Sequence, residues 1–123
     1  MKAISKRTFA IALAFLLSAC AAISSIAAQR GRADARADLR AGKLAIETFG
    51  KPANYRPTYQ RLLRERYGVQ LRVVAGCAVD DSILGHTRGY NAIMRPEITR
   101  RFGTDVFDRT VADARRIHTA QRQ

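Results

Sequence analysis

The feature that most constrains this chain is a charge-free, apolar segment near its N-terminus. No charged residue occurs over residues 8–29, and the most apolar part covers residues 9–17. Lys2, Lys6 and Arg7 precede this segment. A positive segment followed by a short apolar one is typical of a secretory signal peptide, because the positive end stays in the cytoplasm while the apolar helix enters the bilayer. We therefore expect export.

The apolar segment ends in the tetrapeptide Leu17-Ser18-Ala19-Cys20. This tetrapeptide resembles the lipobox of bacterial lipoprotein precursors, in which a branched apolar residue and two small residues precede a cysteine. The resemblance covers only residues 1–20. It implies cleavage before Cys20 and acylation of Cys20. Because two acyl chains hold a protein stably on a membrane and one does not, such a protein would be anchored by lipid and would not span the bilayer.

The same resemblance implies a location and a domain organisation. Residues 1–19 would be a signal peptide, residues 20–33 a lipidated cysteine with a short tether, and residues 34–123 a single small globular domain. The protein would face the periplasm and would contact membrane lipid through its acylated cysteine. Either the cell membrane or the outer membrane is allowed, since Ala21 stands where lipoproteins kept in the inner membrane resemble one another in carrying Asp.

Two other fates of the N-terminus stay open. The triplet Ser25-Ile26-Ala27 could be cut by ordinary signal peptidase, which would release a soluble periplasmic protein beginning at Ala28. Residues 8–28 could instead stay as an uncleaved N-terminal membrane anchor, because an uncharged stretch of roughly 20 residues can span a bilayer. Positively charged residues follow this stretch, and the positive-inside rule disfavours their translocation across the membrane. They therefore argue against export in any of these three forms.

Hydrophobic patterning predicts an α+β fold: a small, mostly helical domain with a short two-stranded sheet, preceded by the N-terminal signal or anchor helix. The strands are expected near residues 43–49 and 69–75, which alternate in polarity or are β-branched. Between them, a helix with Pro57 in its first turn would end at Gly68. A strand, helix, strand order predicts parallel pairing through a right-handed crossover.

Three further helices are predicted. A short one over residues 34–41 would end at Gly42, and a longer one would begin near Ile83. Pro96 would break or kink the longer helix, because proline cannot donate to the hydrogen-bond ladder. Thr104 would cap the last helix. The core-facing stripe of the longer helix is expected to consist of Ile83, Thr87, Tyr90, Met94, Ile98 and Phe102.

The candidates for chemistry are Cys77, Asp80, Asp81 and His86. Cys77 follows the second predicted strand, but the carboxylates of Asp80 and Asp81 disfavour the thiolate that a nucleophile needs. Burial as a small hydrophobic residue is the alternative for Cys77. The four residues could gather around a metal, although their spacing fits no known ligand pattern. Helix capping by the aspartates and a surface position for His86 are the simpler interpretation.

The chain is strongly basic, with 22 Lys and Arg against 10 Asp and Glu and a formal net charge of +12. On the helix predicted after Tyr55, a basic surface of Arg56, Arg61 and Arg64 could bind anionic lipid or nucleic acid. Nucleic acid is disfavoured as the partner of an exported protein. A solvated face is the alternative interpretation of these arginines.

The remaining motifs indicate packing more than chemistry. Gly85 and Gly89 are not followed by the Lys-Ser/Thr of a nucleotide-binding loop, and Tyr90-Asn91 is interpreted as a packed tyrosine with a local cap. We therefore expect a membrane-anchored, non-catalytic binding or structural module without a cofactor. The alternatives are a Cys77-dependent thiol or metal-binding protein and a basic-surface binder of anionic lipid or nucleic acid.

Overall fold

The structure, a computed structural model, describes the backbone of residues 6–123 and the side chains of residues 21–123. It has four helices and two strands. In chain order they are α1 (Lys6–Arg40), β1 (Leu44–Phe49), α2 (Arg56–Tyr67), β2 (Val69–Ala75), α3 (Asp81–Phe102) and α4 (Val106–Ala120). The predicted fold class, a small and mostly helical α+β domain with a two-stranded sheet, is confirmed.

The two strands lie side by side in parallel, with Leu44 beside Val69 and Thr48 beside Val73. Parallel strands need a crossover connection, which α2 supplies here. Gly68 ends α2 in the left-handed conformation, at φ 66°, and its N–H bonds to carbonyl oxygens of the last helical turn. This conformation favours glycine because it lacks a Cβ. The predicted parallel pairing and the predicted end of α2 are both confirmed.

Residues 21–33, predicted to form a tether, are instead part of α1. Ala27, Gly31 and Ala35 follow one another at four-residue spacing on this helix, and all three are buried. A stripe of small residues at this spacing gives the segment a face that another helix can approach closely. The Ala-rich composition interpreted as a tether is also the composition of highest helix propensity. Among the residues that the structure describes, no helix is long and apolar enough to cross a membrane.

The partner of this face is α3, and the two helices touch at their backbones. A Cβ added at Gly89 would overlap the carbonyl group of Ala28, and one at Gly85 would lie 2.5 Å from the carbonyl oxygen of Ser24. A Cβ at Gly31 would overlap the backbone of α3 in the same way. Glycine inside a helix costs about 1 kcal/mol relative to alanine. Close helix approach therefore explains why these helices carry glycines at their interface.

The core lies where α3 meets the sheet and the other helices. Tyr90, Met94 and Ile98 of the predicted stripe are fully buried in it. Of the break or kink expected at Pro96, the break does not occur, because α3 continues through this residue. The buried side chains of Met94 and Ile98, one on each side of the proline, hold both halves of the helix in the core.

The cap predicted at Thr104 is wrong. The last helix begins at Val106, and its N-cap residue is Asp105, which makes no side-chain cap hydrogen bond. The side chain of Asp105 is instead 2.9 Å from the guanidinium of Arg109, one turn further along α4.

Candidate functional site

His86 of α3 lies between two carboxylates from different elements. Its Nδ1 atom is 3.0 Å from Oε2 of Glu47 on β1, and its Nε2 atom is 2.9 Å from Oδ2 of Asp34 on α1. The Glu47 side chain is only 6% exposed, whereas that of Asp34 is 66% exposed. Both ring nitrogens can donate to these carboxylates only when the imidazole is protonated. The geometry therefore favours an imidazolium that joins α3 to α1 and β1.

The protonation of His86 follows from two opposing effects. Burial lowers the pKa of His86, but the hydrogen bonds with Asp34 and Glu47 outweigh burial and raise the pKa above its ordinary value of 6.5. A doubly hydrogen-bonded imidazolium has no free lone pair. In this state His86 can act neither as a metal ligand nor as a general base.

A second polar cluster joins the same helices one turn further on. The Tyr90 hydroxyl donates to Oδ2 of Asp38 over 2.7 Å, and Nη1 of Arg72 donates to the same oxygen over 2.8 Å. The hydrogen bond from Tyr90, together with Arg72, holds the pKa of Asp38 below its ordinary value despite some burial. Burial and the bond to Asp38 raise the pKa of Tyr90. Arg72 therefore connects β2 to α1 and α3.

The Asn91 side chain links α3 to β1 by hydrogen bonds to the backbone of Glu47. Its Oδ1 accepts from the Glu47 N–H over 2.9 Å, and its Nδ2 donates to the Glu47 carbonyl oxygen over 2.8 Å. The two residues are 44 positions apart in the chain. The interpretation of Asn91 as a local cap is therefore wrong, because its partner is a strand edge that only the tertiary fold brings near.

A cleft of about 250 Å³ opens beside His86, between α1, β2 and α3. Two of its lining side chains, Arg30 and the protonated His86, are cationic, and a third carries a hydroxyl group. The lining residues are Ala27, Arg30, Val74, Ser82, Ile83 and His86. Apolar walls with a few polar groups are the usual make-up of a ligand site. The cleft can accommodate a small apolar group that carries a polar end.

The predicted candidates for chemistry have separate roles. Cys77 is a free, exposed thiol and not a buried hydrophobic residue. Asp80 caps α3 by accepting from the N–H of Ile83 over 2.8 Å, as predicted, and Asp81 is exposed at the first position of that helix. Among the described residues, no three His, Cys, Asp or Glu side chains are arranged to hold a metal ion. His86 is half-buried and paired, where a surface position was the simpler interpretation.

The basic surface predicted on α2 is partly neutralised. Arg61 forms an ion pair with Glu65 at 3.1 Å, and Arg56 donates to the carbonyl oxygens of Gly50 and Lys51. Arg64 is exposed. The three arginines therefore do not form a uniform set of unpaired cations.

Asp34, Asp38 and Glu47 were not among the site residues predicted from the sequence. One sequence feature points to the two aspartates: they are four residues apart on α1, as His86 and Tyr90 are on α3. Each aspartate pairs with the residue 52 positions further along. Residues four apart lie on the same face of a helix, so each helix presents two polar groups on one face. Comparison with protein-family models, with curated proteins and with solved structures gives no match to this chain.

Proposed function

We propose that this chain is a lipid-anchored binding module that faces the periplasm of a bacterium and acts without catalysis. The anchor is the acylated Cys20, whose side chain lies outside the described residues. One observation carries the proposal: the helix that contains the lipobox-like residues also supplies packed residues of the folded domain.

The packed part of α1 distinguishes between the possible cleavage sites. Ser24 and Ala27 lie against α3 at Gly85, and Ala27 is buried. Cleavage after Ala27 would remove both residues and expose the start of α3 to water. Cleavage before Cys20 would keep every one of these contacts. Packing energetics therefore favour lipoprotein processing over release of a soluble form that begins at Ala28.

The cleft beside His86 supports binding in preference to catalysis. General base catalysis needs a group that can take up a proton near neutral pH. Both nitrogens of His86 already hydrogen-bond to carboxylates, so the histidine joins α3 to α1 and β1 beside the cleft. Arg30 and Ser82 remain available at the cleft wall to orient a bound group.

The anchor is tested by growing cells with labelled palmitate. We expect label in the wild type and in the matched control Cys77→Ser, and none in Cys20→Ser, because only Cys20 would become an N-terminal cysteine. Cys20→Ser should also accumulate as a larger, unprocessed precursor on a denaturing gel. A wild-type chain without label, or a Cys20→Ser variant that keeps its label, would overturn the proposal. Full-length, unlabelled protein that stays in the membrane would identify an uncleaved anchor.

A further inference from the structure

The arginines of this protein differ in whether they have a carboxylate partner. On α2, α3 and α4, six of the eleven arginines form ion pairs, and Arg56 and Arg64 of α2 are among those that do not. Examples of the ion pairs are Arg66 with Asp113, Arg101 with Glu97 and Arg109 with Asp105. On α1, the exposed residues Arg32, Arg36 and Arg40 take part in no ion pair with the residues that the structure describes. We call these three residues the α1 stripe.

The α1 stripe is a line of like charges on one helix face. Its members are four residues apart, so they span about 12 Å along the helix axis at 1.5 Å per residue. Like charges at this spacing destabilise a helix by a few tenths of a kcal/mol per pair. The helix dipole favours Arg40 in the last turn, but it gives no such support to Arg32 and Arg36. An anionic partner would offset the repulsion within the stripe.

The surroundings of the α1 stripe favour a polymer over a bilayer surface as this partner. A helix that lies in a membrane interface needs an apolar face beside its cations. Among the side chains of α1 that the structure describes, residues 21–40, the exposed large hydrophobic residues are Ile23 and Ile26, and both precede the stripe. Ala33 and Ala37, which lie between the arginines, are too small to anchor a helix in lipid.

We propose that the α1 stripe binds a linear polymer that carries repeated phosphate groups. Each guanidinium offers a fork of N–H donors that matches phosphate oxygens, so Arg suits this role better than Lys. The spacing of the three arginines sets a row of contacts along one polymer chain. The binding does not depend on acylation of Cys20, so the full-length Cys20→Ser chain should bind as the wild type does.

The test uses the full chain in neutral detergent micelles, with fluorophore-labelled, long-chain inorganic polyphosphate as the probe. Binding is followed by fluorescence anisotropy at several NaCl concentrations. The variant Arg32→Gln/Arg36→Gln/Arg40→Gln is compared with Arg56→Gln/Arg61→Gln/Arg64→Gln. Each removes three positive charges from one helix, so the second variant is a matched control for net charge.

We expect the α1 variant to bind at least about tenfold more weakly, and its slope of log affinity against log salt to fall by about 2 to 3, because each phosphate contact contributes roughly one unit. The α2 control should change affinity less than about threefold. If circular dichroism shows that the triple α1 variant is unfolded, Arg36→Gln alone should lower the slope by about 1.

Three results would overturn the proposal. One is an equal loss in both triple variants, which would indicate general charge attraction. Another is an affinity that does not change with salt. The third is displacement of the probe by phosphatidylglycerol mixed into the micelles but not by unlabelled polyphosphate, which would indicate a lipid headgroup site.

Discussion

The two main helix pairs of this protein differ in how closely their backbones approach each other. α1 and α3 touch at their backbones, and glycines remove the side chains that would separate them. α2 and α4 are joined by long side chains at their exposed edge. There, Arg66 is 2.6 Å from Asp113, and Arg115 lies 5.0 Å from the ring centroid of Tyr55, the residue that precedes α2.

This difference predicts where the fold tolerates change. Backbones in contact cannot move apart by one methyl group without also disturbing the clusters around His86 and Tyr90. Exposed arginine side chains can adopt another rotamer or exchange their partner for water, at little cost. The α1–α3 pair should therefore be intolerant of substitution, and the α2–α4 ion pairs tolerant.

The strongest test of this contrast is Gly89→Ala. Its Cβ would overlap the Ala28 carbonyl group, so the helices must separate. We expect a loss of about 3 kcal/mol in the free energy of unfolding, at the upper end of the range for overpacking. Urea unfolding followed by circular dichroism measures this loss.

The matched control for that substitution is Gly76→Ala. A Cβ at Gly76 meets no atom within 4 Å, and this glycine is not among those with positive φ. Its unfolding midpoint should stay close to that of the wild type. Equal destabilisation by the two substitutions would contradict the close-contact account of α1 and α3.

An intermediate effect is expected from His86→Gln, and it should depend on pH. The pKa of His86 is raised in the folded protein, so the histidine contributes stability that is fully present below its ordinary value of 6.5 and is lost as pH rises through the folded pKa. At pH 5.5 we expect the variant to lose about 1.5 to 3 kcal/mol in the free energy of unfolding, the usual contribution of a hydrogen bond to a charged group. The difference should shrink by pH 8.5.

The measurement is the free energy of unfolding of both proteins across this pH range. The charged groups in contact with the imidazole are Asp34 from α1 and Glu47 from β1, and Arg30 lines the same cleft. Any pH dependence that persists in His86→Gln would belong to other groups. A wild type whose stability does not fall between pH 6.5 and pH 8.5 would refute the imidazolium bridge.

The smallest effect is expected at the α2–α4 edge. Arg66→Gln removes the ion pair with Asp113, in which the arginine side chain is 37% exposed. Exposed pairs contribute about 0.2 to 1 kcal/mol, so the melting temperature should fall only slightly. Arg64→Gln on the same helix is the control. A loss of more than about 2 kcal/mol in the free energy of unfolding of Arg66→Gln would contradict the proposed difference between the two helix pairs.

Local sequence signals predicted the elements better than the site. Alternating polarity located both strands, Gly68 ended α2, and Asp80 was predicted as a cap and forms one. Each of these signals depends on interactions between residues that are close in the sequence. Over residues 21–33 the local signal itself was misinterpreted, because an Ala-rich segment favours a helix as well as a tether. At Thr104 the helix begins one residue later than predicted, after Asp105.

The site depended on contacts that no local pattern contains. His86 was singled out as a candidate, but its partners lie 39 and 52 residues away and belong to other elements. The basic surface was predicted on α2, where Glu65 neutralises one arginine, while unpaired arginines line α1. Ion pairing is a property of neighbours in space, so counting charges along the chain could not separate these helices.

Short-range chemistry was thus sufficient for the two strands, the end of α2 and the start of α3, since caps and side-chain periodicity act between near neighbours. Only the tertiary structure determined how α1 packs against α3. Three glycines allow that approach, but the free energy that selects it comes from burying faces that are far apart in the chain. The carboxylate pair around His86 and the cleft beside it exist only because those faces meet.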